Sequence, residues 1–284
     1  MKRHATTAAL GLLVTCAIAI PVFAIVGGEA DTDNEFPNVC SIVITTQPAS
    51  QQTLKLPQTL SSGTLVHPKV VMTAGHSVEF MRSVIANNAD VELSDFAVIC
   101  TPSVYDGDAV EYGIAETHIH PDYTTVGDAG RNANSIDVGV LILTDAVTGI
   151  TPVALPDQGF LGTLDLDRGP SDLKPEFLVV GYGTTDVPKT GALPPGERRV
   201  AVATFKSLRT RYLMMSQHFA HDEGGLSRGD SGGAAFWELD DGSLVQVGVT
   251  VSGDAASVSY GACVRTDLQT VIDFIQDAID GLAE

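Results

Sequence analysis

The chain is short of cysteine, of positive charge and of long apolar runs, and each shortage excludes a class of protein. Four cysteines in 284 residues cannot frame a disulfide scaffold. Sixteen Lys and Arg stand against 35 Asp and Glu, a formal charge of −19. Nucleic acid and anionic membrane surfaces are therefore poor partners, and the excess acid is read as a solvated surface. The longest apolar run, Ala8 to Ile20, falls short of the roughly 20 residues that span a bilayer. Internal repeats and low-complexity tracts are also missing, and periods of helical spacing are scarce.

The first 24 residues read as a targeting leader, removed on export. Lys2 and Arg3 open it, the apolar run follows, and Pro21-Val22-Phe23-Ala24 offers small or aliphatic residues at the cleavage spacing. A lipid-attachment reading at Cys16 is disfavoured by Thr15 before it. The expected mature protein starts at Ile25, is secreted or periplasmic, and has no membrane segment. Loss of Lys2 and Arg3 leaves 14 bases against 35 acids, a charge of −21, and leaves Cys40, Cys100 and Cys263. Three cysteines allow at most one bridge; Cys40 with Cys100 is preferred, because both lie on strand-like runs of the first half.

What is present is a succession of short β-branched runs: Ser41 to Thr45, Val70 to Thr73, Phe96 to Cys100, Val138 to Leu143, Phe177 to Gly181, Val200 to Phe205 and Leu244 to Val251. Each is bounded by Gly, Pro, Asn or Asp, which predicts an all-β barrel or sandwich, not an alternating α/β sheet. With 44% hydrophobic residues the chain can fill one large or two modest cores. Thr144 to Gly159 reads as the joint between halves. One helix is predicted, over about 267–282, from the stripe Leu268, Val271, Ile272, Ile275, Ala278, Ile279 and Leu282, with Asp267 as its cap and Gly281 as its end.

The segment Gly229-Asp230-Ser231-Gly232-Gly233 fits G-x-S-x-G, a pattern shared by α/β-hydrolases and proteases. Chain order separates them. An α/β-hydrolase needs a histidine after the serine, and the last histidine here is His221. Upstream, His76 ends the run Val71-Met72-Thr73-Ala74-Gly75, and Asp137 opens Val138-Gly139-Val140-Leu141, so the order is His, Asp, Ser. Each alone has a dull explanation as a surface or turn residue; their joint occurrence is hard to obtain by accident.

On these residues the sequence resembles the chymotrypsin/trypsin-like serine peptidase family over nearly all of Ile25 to Glu284. Ile25-Val26-Gly27-Gly28 is similar to the mature amino terminus, Thr73 to His76 to the histidine motif, Asp137 to Leu141 to the aspartate motif, and Gly229 to Gly233 to the serine motif. The resemblance implies two six-stranded antiparallel β-barrels, the first about 25–150 and the second about 151–266, with the site between them. It implies Ser231 as nucleophile, His76 as general base and Asp137 as its orienting acid. The Gly229 and Ser231 NH groups would form the oxyanion hole, and Asp230 would pair with the freed ammonium of Ile25. Because Ala24 precedes Ile25, export itself is expected to generate that terminus. The substrates are expected to be proteins or peptides, with proteinaceous inhibitors as further partners.

Departures from the family pattern are Ser77 and Ser227, where bridge cysteines are common, and Ala234, where proline is. By resemblance, Gly225 stands at the base of the primary pocket with Leu226 beside it, and Gly253 and Gly261 form its walls. The absence of an acid at 225 points to an apolar or aromatic acyl-side residue; a basic preference survives through Asp222 and Glu223. A non-catalytic binding protein and an esterase on the same fold are the rival functions. No cofactor or metal is expected: His118/His120 and His218/His221 lack a thiolate cluster, and Asp106 to Glu111 lacks regular oxygen spacing.

Overall fold

The computed structural model describes residues 25, 27–49, 54–125, 134–166, 174–185, 194–218, 223–254 and 256–283. The leader 1–24, Val26, His221 and Asp222 lie outside the described residues. After a two-residue strand β1 (Glu29–Ala30), the first half contributes β2 (Val39–Ile44), β3 (Gln58–His67), β4 (Val70–Thr73), helix α1 (Gly75–Asn87), β5 (Phe96–Ile99), β6 (Tyr112–Ile119) and β7 (Gly139–Leu143). A short α2 (Phe160–Thr163) leads into β8 (Glu176–Gly181), β9 (Arg199–Leu208), β10 (Tyr212–Ser216), β11 (Ala234–Glu238), β12 (Leu244–Gly253), β13 (Tyr260–Arg265) and α3 (Gln269–Asp280).

Strands β2-β3-β4-β7-β6-β5 close into one antiparallel barrel. In the second half β9-β10-β13-β12-β11-β8 close likewise through the β8–β9 pairing, with β1 added on the outer side of β9. Closure leaves almost no sheet edge exposed and fills each interior with inward-facing side chains. Ile42, Leu65, Val71, Phe96, Val98 and Leu141 pack the first barrel. Phe177, Val179, Leu213, Met215, Val247 and Cys263 pack the second. Each such side chain contributes about 1.5–3 kcal/mol by leaving water. Cys263 is a free, buried thiol whose pKa burial pushes up to about 12, so it packs as an apolar group. Cys40 and Cys100, on the first barrel, form the disulfide, as preferred from the sequence.

Three regions differ from the sequence expectation. Residues 25–30 were assigned to the first barrel, but Ile25 is buried in the core of the second and β1 pairs with β9. Besides the one expected helix and the single turn α2, helix α1 starts one residue before His76; Val78, Met81 and Val84 give it a buried stripe at helical spacing. Asp267 does not cap α3. Its carboxylate is held by Arg265 at 2.8 Å from each of two guanidinium nitrogens and accepts from Leu161 N at 2.9 Å. The helix ends before Gly281, which is right-handed and leads into a final 3-10 turn. Val271 and Ile275 of α3 belong to one buried cluster with Val70, Met72, Val138 and Val140 of the first barrel and Tyr212, Met214 and Val249 of the second. The apolar cluster under the terminal helix therefore joins both barrels.

A second clamp is polar. Arg198 is 1% exposed, and its guanidinium donates to Asp31 Oδ2 (2.7 Å), Val39 O (2.9 Å), Cys100 O (3.2 Å), Tyr182 Oη (3.2 Å) and Asn34 Oδ1. One second-barrel side chain thus satisfies carbonyls of the first barrel and a carboxylate of the amino-terminal segment. Tyr182 adds a bond to Thr101 O at 2.6 Å. Removing one partner from such a buried set leaves an unpaired charge, so Arg198→Ala is expected to lower stability by about 3–5 kcal/mol in denaturant unfolding. A loss below about 1 kcal/mol would contradict the clamp.

Candidate active site

Helix α1 begins at Gly75 with Ala74 as its cap residue, which has no side-chain oxygen for the helix's free NH groups. Asp137 supplies one from the entry to the neighbouring strand, since β7 pairs with β4: its Oδ1 accepts from His76 N at 2.8 Å. The same carboxylate, through Oδ2, lies 2.7 Å from His76 Nδ1. Backbone and ring of His76 are therefore both fixed by one acid, itself 9% exposed, at the entry to β7. A carboxylate can only accept, so Nδ1 carries the proton and Nε2 presents its lone pair. That lone pair faces Ser231 Oγ at 2.8 Å. The three residues singled out by chain order meet at hydrogen-bond distance.

Ser231 comes from the second barrel and is tied to the first. Its carbonyl accepts from Ser62 N (2.9 Å) and from Ser61 Oγ (2.5 Å), and Ser61 Oγ lies 2.6 Å from Ser77 Oγ on α1. Since Ser61 spends its proton on Ser231 O, Ser77 donates to Ser61. A hydroxyl relay from the histidine helix to the serine loop thus runs through Ser77, at the position where a bridge cysteine is common. Ser227 is likewise held by hydrogen bonds: its hydroxyl donates to Thr184 O at 2.6 Å and its NH to Asp230 Oδ2 at 2.8 Å. Neither Ser61 nor Ser62 was singled out from the sequence; both sit on the polar strand β3, whose buried hydroxyls were the available signal.

The loop before Ser231 turns at Gly229, whose φ of +100° suits glycine, and a Cβ there would lie 2.6 Å from Pro194 Cγ. Ser62 Oγ holds the Gly229 carbonyl at 2.8 Å. Among the described residues, neither Gly229 NH nor Ser231 NH is taken by a protein acceptor.

Asp230 is fully buried. Its carboxyl accepts from Gly183 N (2.7 Å) and Ser227 N (2.8 Å), and a Cβ on Gly183 would collide with it. In the full chain Ile25 is joined to Ala24 and has no ammonium to offer; no hydrogen bond or ion pair joins it to Asp230 among the described residues. Desolvation outweighs the hydrogen bonds from Ser227 and Gly183 and pushes the carboxyl up to about 7.

The predicted pocket residues lie together but do not leave an open slot. Gly253 and Gly261 are opposite each other on β12 and β13, beyond a bulge that displaces Val251. Leu226 and Gln217 fill the space between them. A Cβ on Gly261 would collide with the Gln217 amide and lie 2.7 Å from Leu226 Cδ1. Gln217 donates to Tyr260 O (2.9 Å) and accepts from Leu226 N (2.7 Å). Gly225 is pressed against the Ser257 carbonyl. What remains is a cavity of about 250 Å³ bordered by His76, Leu226, Ser231, Ser252 and Gly253. Asp254 also borders it. Burial would raise its pKa, but NH donors of Tyr260, Ser259, Val258 and Ala256 outweigh this and hold it below the usual carboxylate range.

Two of the histidines considered as metal ligands have separate partners: His118 lies 3.2 Å from Glu116, and His120 Nε2 lies 2.9 Å from Thr270 Oγ1. No helix among the described residues is long and apolar enough to cross a membrane.

A protein-family model described as Trypsin matches residues 25–275, a stretch that holds every strand described above. No curated protein matches the chain.

The buried Asp230 has a pH signature. Its folded pKa is raised, so the protonated form stabilises the full chain below about pH 4, and that contribution disappears as pH rises through about 7. A shift of this size corresponds to about 4 kcal/mol. In the full-length chain, the stability difference between the parent protein and Asp230→Asn, followed by denaturant unfolding from pH 4 to 8, should move against the parent as pH rises. A difference that stays constant across that range would refute the assignment.

Proposed function

The chain belongs to the trypsin family of serine peptidases, and from that premise we propose that it is an exported serine endopeptidase acting through Ser231, His76 and Asp137. The observation that carries the proposal is the 2.8 Å contact between His76 Nε2 and Ser231 Oγ, with Asp137 behind the ring. A serine hydroxyl is a weak nucleophile until a base takes its proton. His76 accepts that proton as Oγ attacks a peptide carbonyl, and returns it to the leaving amine. Asp137 fixes the tautomer and offsets the imidazolium that forms. The Gly229 and Ser231 NH groups receive the oxyanion, worth roughly 3 kcal/mol per donor. Water, activated by the same histidine, then releases the acyl-enzyme.

Activation follows from Asp230. Signal cleavage after Ala24 frees the Ile25 ammonium, which moves onto the buried carboxyl and replaces an uncompensated group by an ion pair. The raised pKa of Asp230 in the uncut chain supports this, since the carboxyl there lacks a cation among the described residues.

On the acyl side we assign a preference for an aliphatic residue of modest size over an aromatic one. Leu226 and Gln217 between Gly253 and Gly261 support this reading. A preference for Lys or Arg has less support: Glu223 is buried and accepts from Thr204 Oγ1 and His218 N at 2.5 Å each, and the Asp254 carboxylate is spent on its own loop.

Ser231→Ala or His76→Ala should each lower kcat on a peptide substrate by roughly a millionfold, and Asp137→Asn by about ten-thousandfold. Amino-terminal sequencing of the exported protein should return Ile25 as the first residue. Peptide cleavage surviving Ser231→Ala, or a start before Ile25, would sink the respective part of the account.

A further inference from the structure

We propose that the chain also selects its substrates on the leaving-group side of the scissile bond, through an apolar cavity that enters the first barrel beside the triad. The inference rests on the peptidase reading above and names a second specificity site for it. The cavity has a volume of about 270 Å³, and its mouth is formed by His76, Gly229 and Ser231. Its walls are Ile42, Ile44, Leu54, Phe80, Met81 and Val84. Ile42, Ile44 and Met81 are 2% exposed or less, so the floor is the barrel core itself. Phe80, on α1, is 47% exposed, a large apolar side chain left in water at the entrance. Burying it under a substrate side chain is favourable.

The cavity's position decides which substrate residue it takes. Two cavities share His76, Arg228 and Ser231 and diverge from them, one toward β12 and the Leu226 plug, the other toward the first barrel. The acyl-side residue is assigned above to the cavity that Leu226 and the β12 residue Gly253 border. The residue carried by the leaving amine, to which His76 delivers its proton, then faces the first-barrel cavity. The chemistries of the two cavities contrast. The acyl-side cavity is narrowed by Leu226 and edged by Ser227, Ser252, Asp254 and Ser257. The other has its hydroxyls bonded within the protein, Ser61 to Ser77 and Thr59 to Ser41, and its Gln58 amide donates to Pro194 O; Arg228 lines the part that the two cavities share, so the deeper walls offer little to a polar group and much to an apolar one. It fits a branched aliphatic or aromatic side chain.

Acyl transfer isolates this site. An N-acylated alanine ester gives the acyl-enzyme and releases its alcohol. An amino-acid amide then competes with water for the carbonyl, forming a new peptide bond and returning the proton to Ser231. The amine occupies the leaving-group side, and its partition against water is internal to each protein. Leucinamide or phenylalaninamide should intercept the acyl-enzyme about 10- to 100-fold better than glycinamide. In Phe80→Asp and Leu54→Asp that ratio should fall toward 1. Equal interception by the three amides in the parent protein overturns the inference, and so does a ratio that survives both substitutions. If the parent turns over neither ester nor peptide, the peptidase reading fails and this inference with it, whereas ester turnover without amine discrimination removes this inference alone.

Discussion

One contact, His76 Nε2 to Ser231 Oγ, exists only if two separately closed barrels are held against each other to within a few tenths of an ångström. His76 is placed by the first barrel, through β4, the start of α1 and Asp137 at the entry to β7. Ser231 is placed by the second, through a loop that turns at Gly229 and is anchored by Asp230. Neither barrel can position the other's residue from its own core. The seam between them is therefore the structure on which the chemistry depends, and it is built from several independent devices. Arg198 and Tyr182 satisfy first-barrel carbonyls from the second barrel. Ser61 and Ser62 hold the carbonyls of Ser231 and Gly229. The apolar cluster under helix α3 joins both barrels.

This division explains why the serines at 77 and 227 are tolerated where covalent bridges are common. The hydroxyl relay Ser77–Ser61–Ser231 links the histidine helix to the serine loop with short hydrogen bonds, while Ser227 through Thr184 and Asp254 through Ser259 each tie down a loop beside the Gly253 cavity. Hydrogen bonds contribute less than a disulfide does by constraining the unfolded chain. The one bridge that remains, Cys40–Cys100, joins β2 to the residue after β5, inside the first barrel and away from the site.

The meeting of His76, Asp137 and Ser231 was legible because the proposed chemistry demands those residue types in that order, and the absence of any histidine after Ser231 removed the competing hydrolase order. Strands with β-branched runs, such as Val70–Thr73 and Gly139–Leu143, were legible for the same reason that they are buried on both faces. Strand β3 was not, because Ser61 and Ser62, whose buried hydroxyls reach across the seam, and Thr59 and Thr64, buried beside them, read as turn residues in sequence. Strand β10 carries two methionines in place of β-branched residues, and β6 has only Ile114 fully inside. Helix α1 was hidden by its start: Gly75 and His76 look like the end of a strand, and the cap that a helix needs comes from Asp137, 61 residues away. The pocket failed as an open slot because Gln217, distant in sequence from Gly253 and Gly261, enters between them. Contacts made across the fold, not local propensity, decided each of these.

The central claim is that Ser231 is an activated nucleophile in the chain that begins at Ile25. It is tested most directly by treating that protein with an organophosphorus or sulfonyl fluoride and locating the adduct by peptide mass spectrometry. The account predicts one adduct, on Ser231, lost in His76→Ala although the serine is still present. An unlabelled Ser231 in the protein starting at Ile25, or labelling that persists without His76, would contradict it.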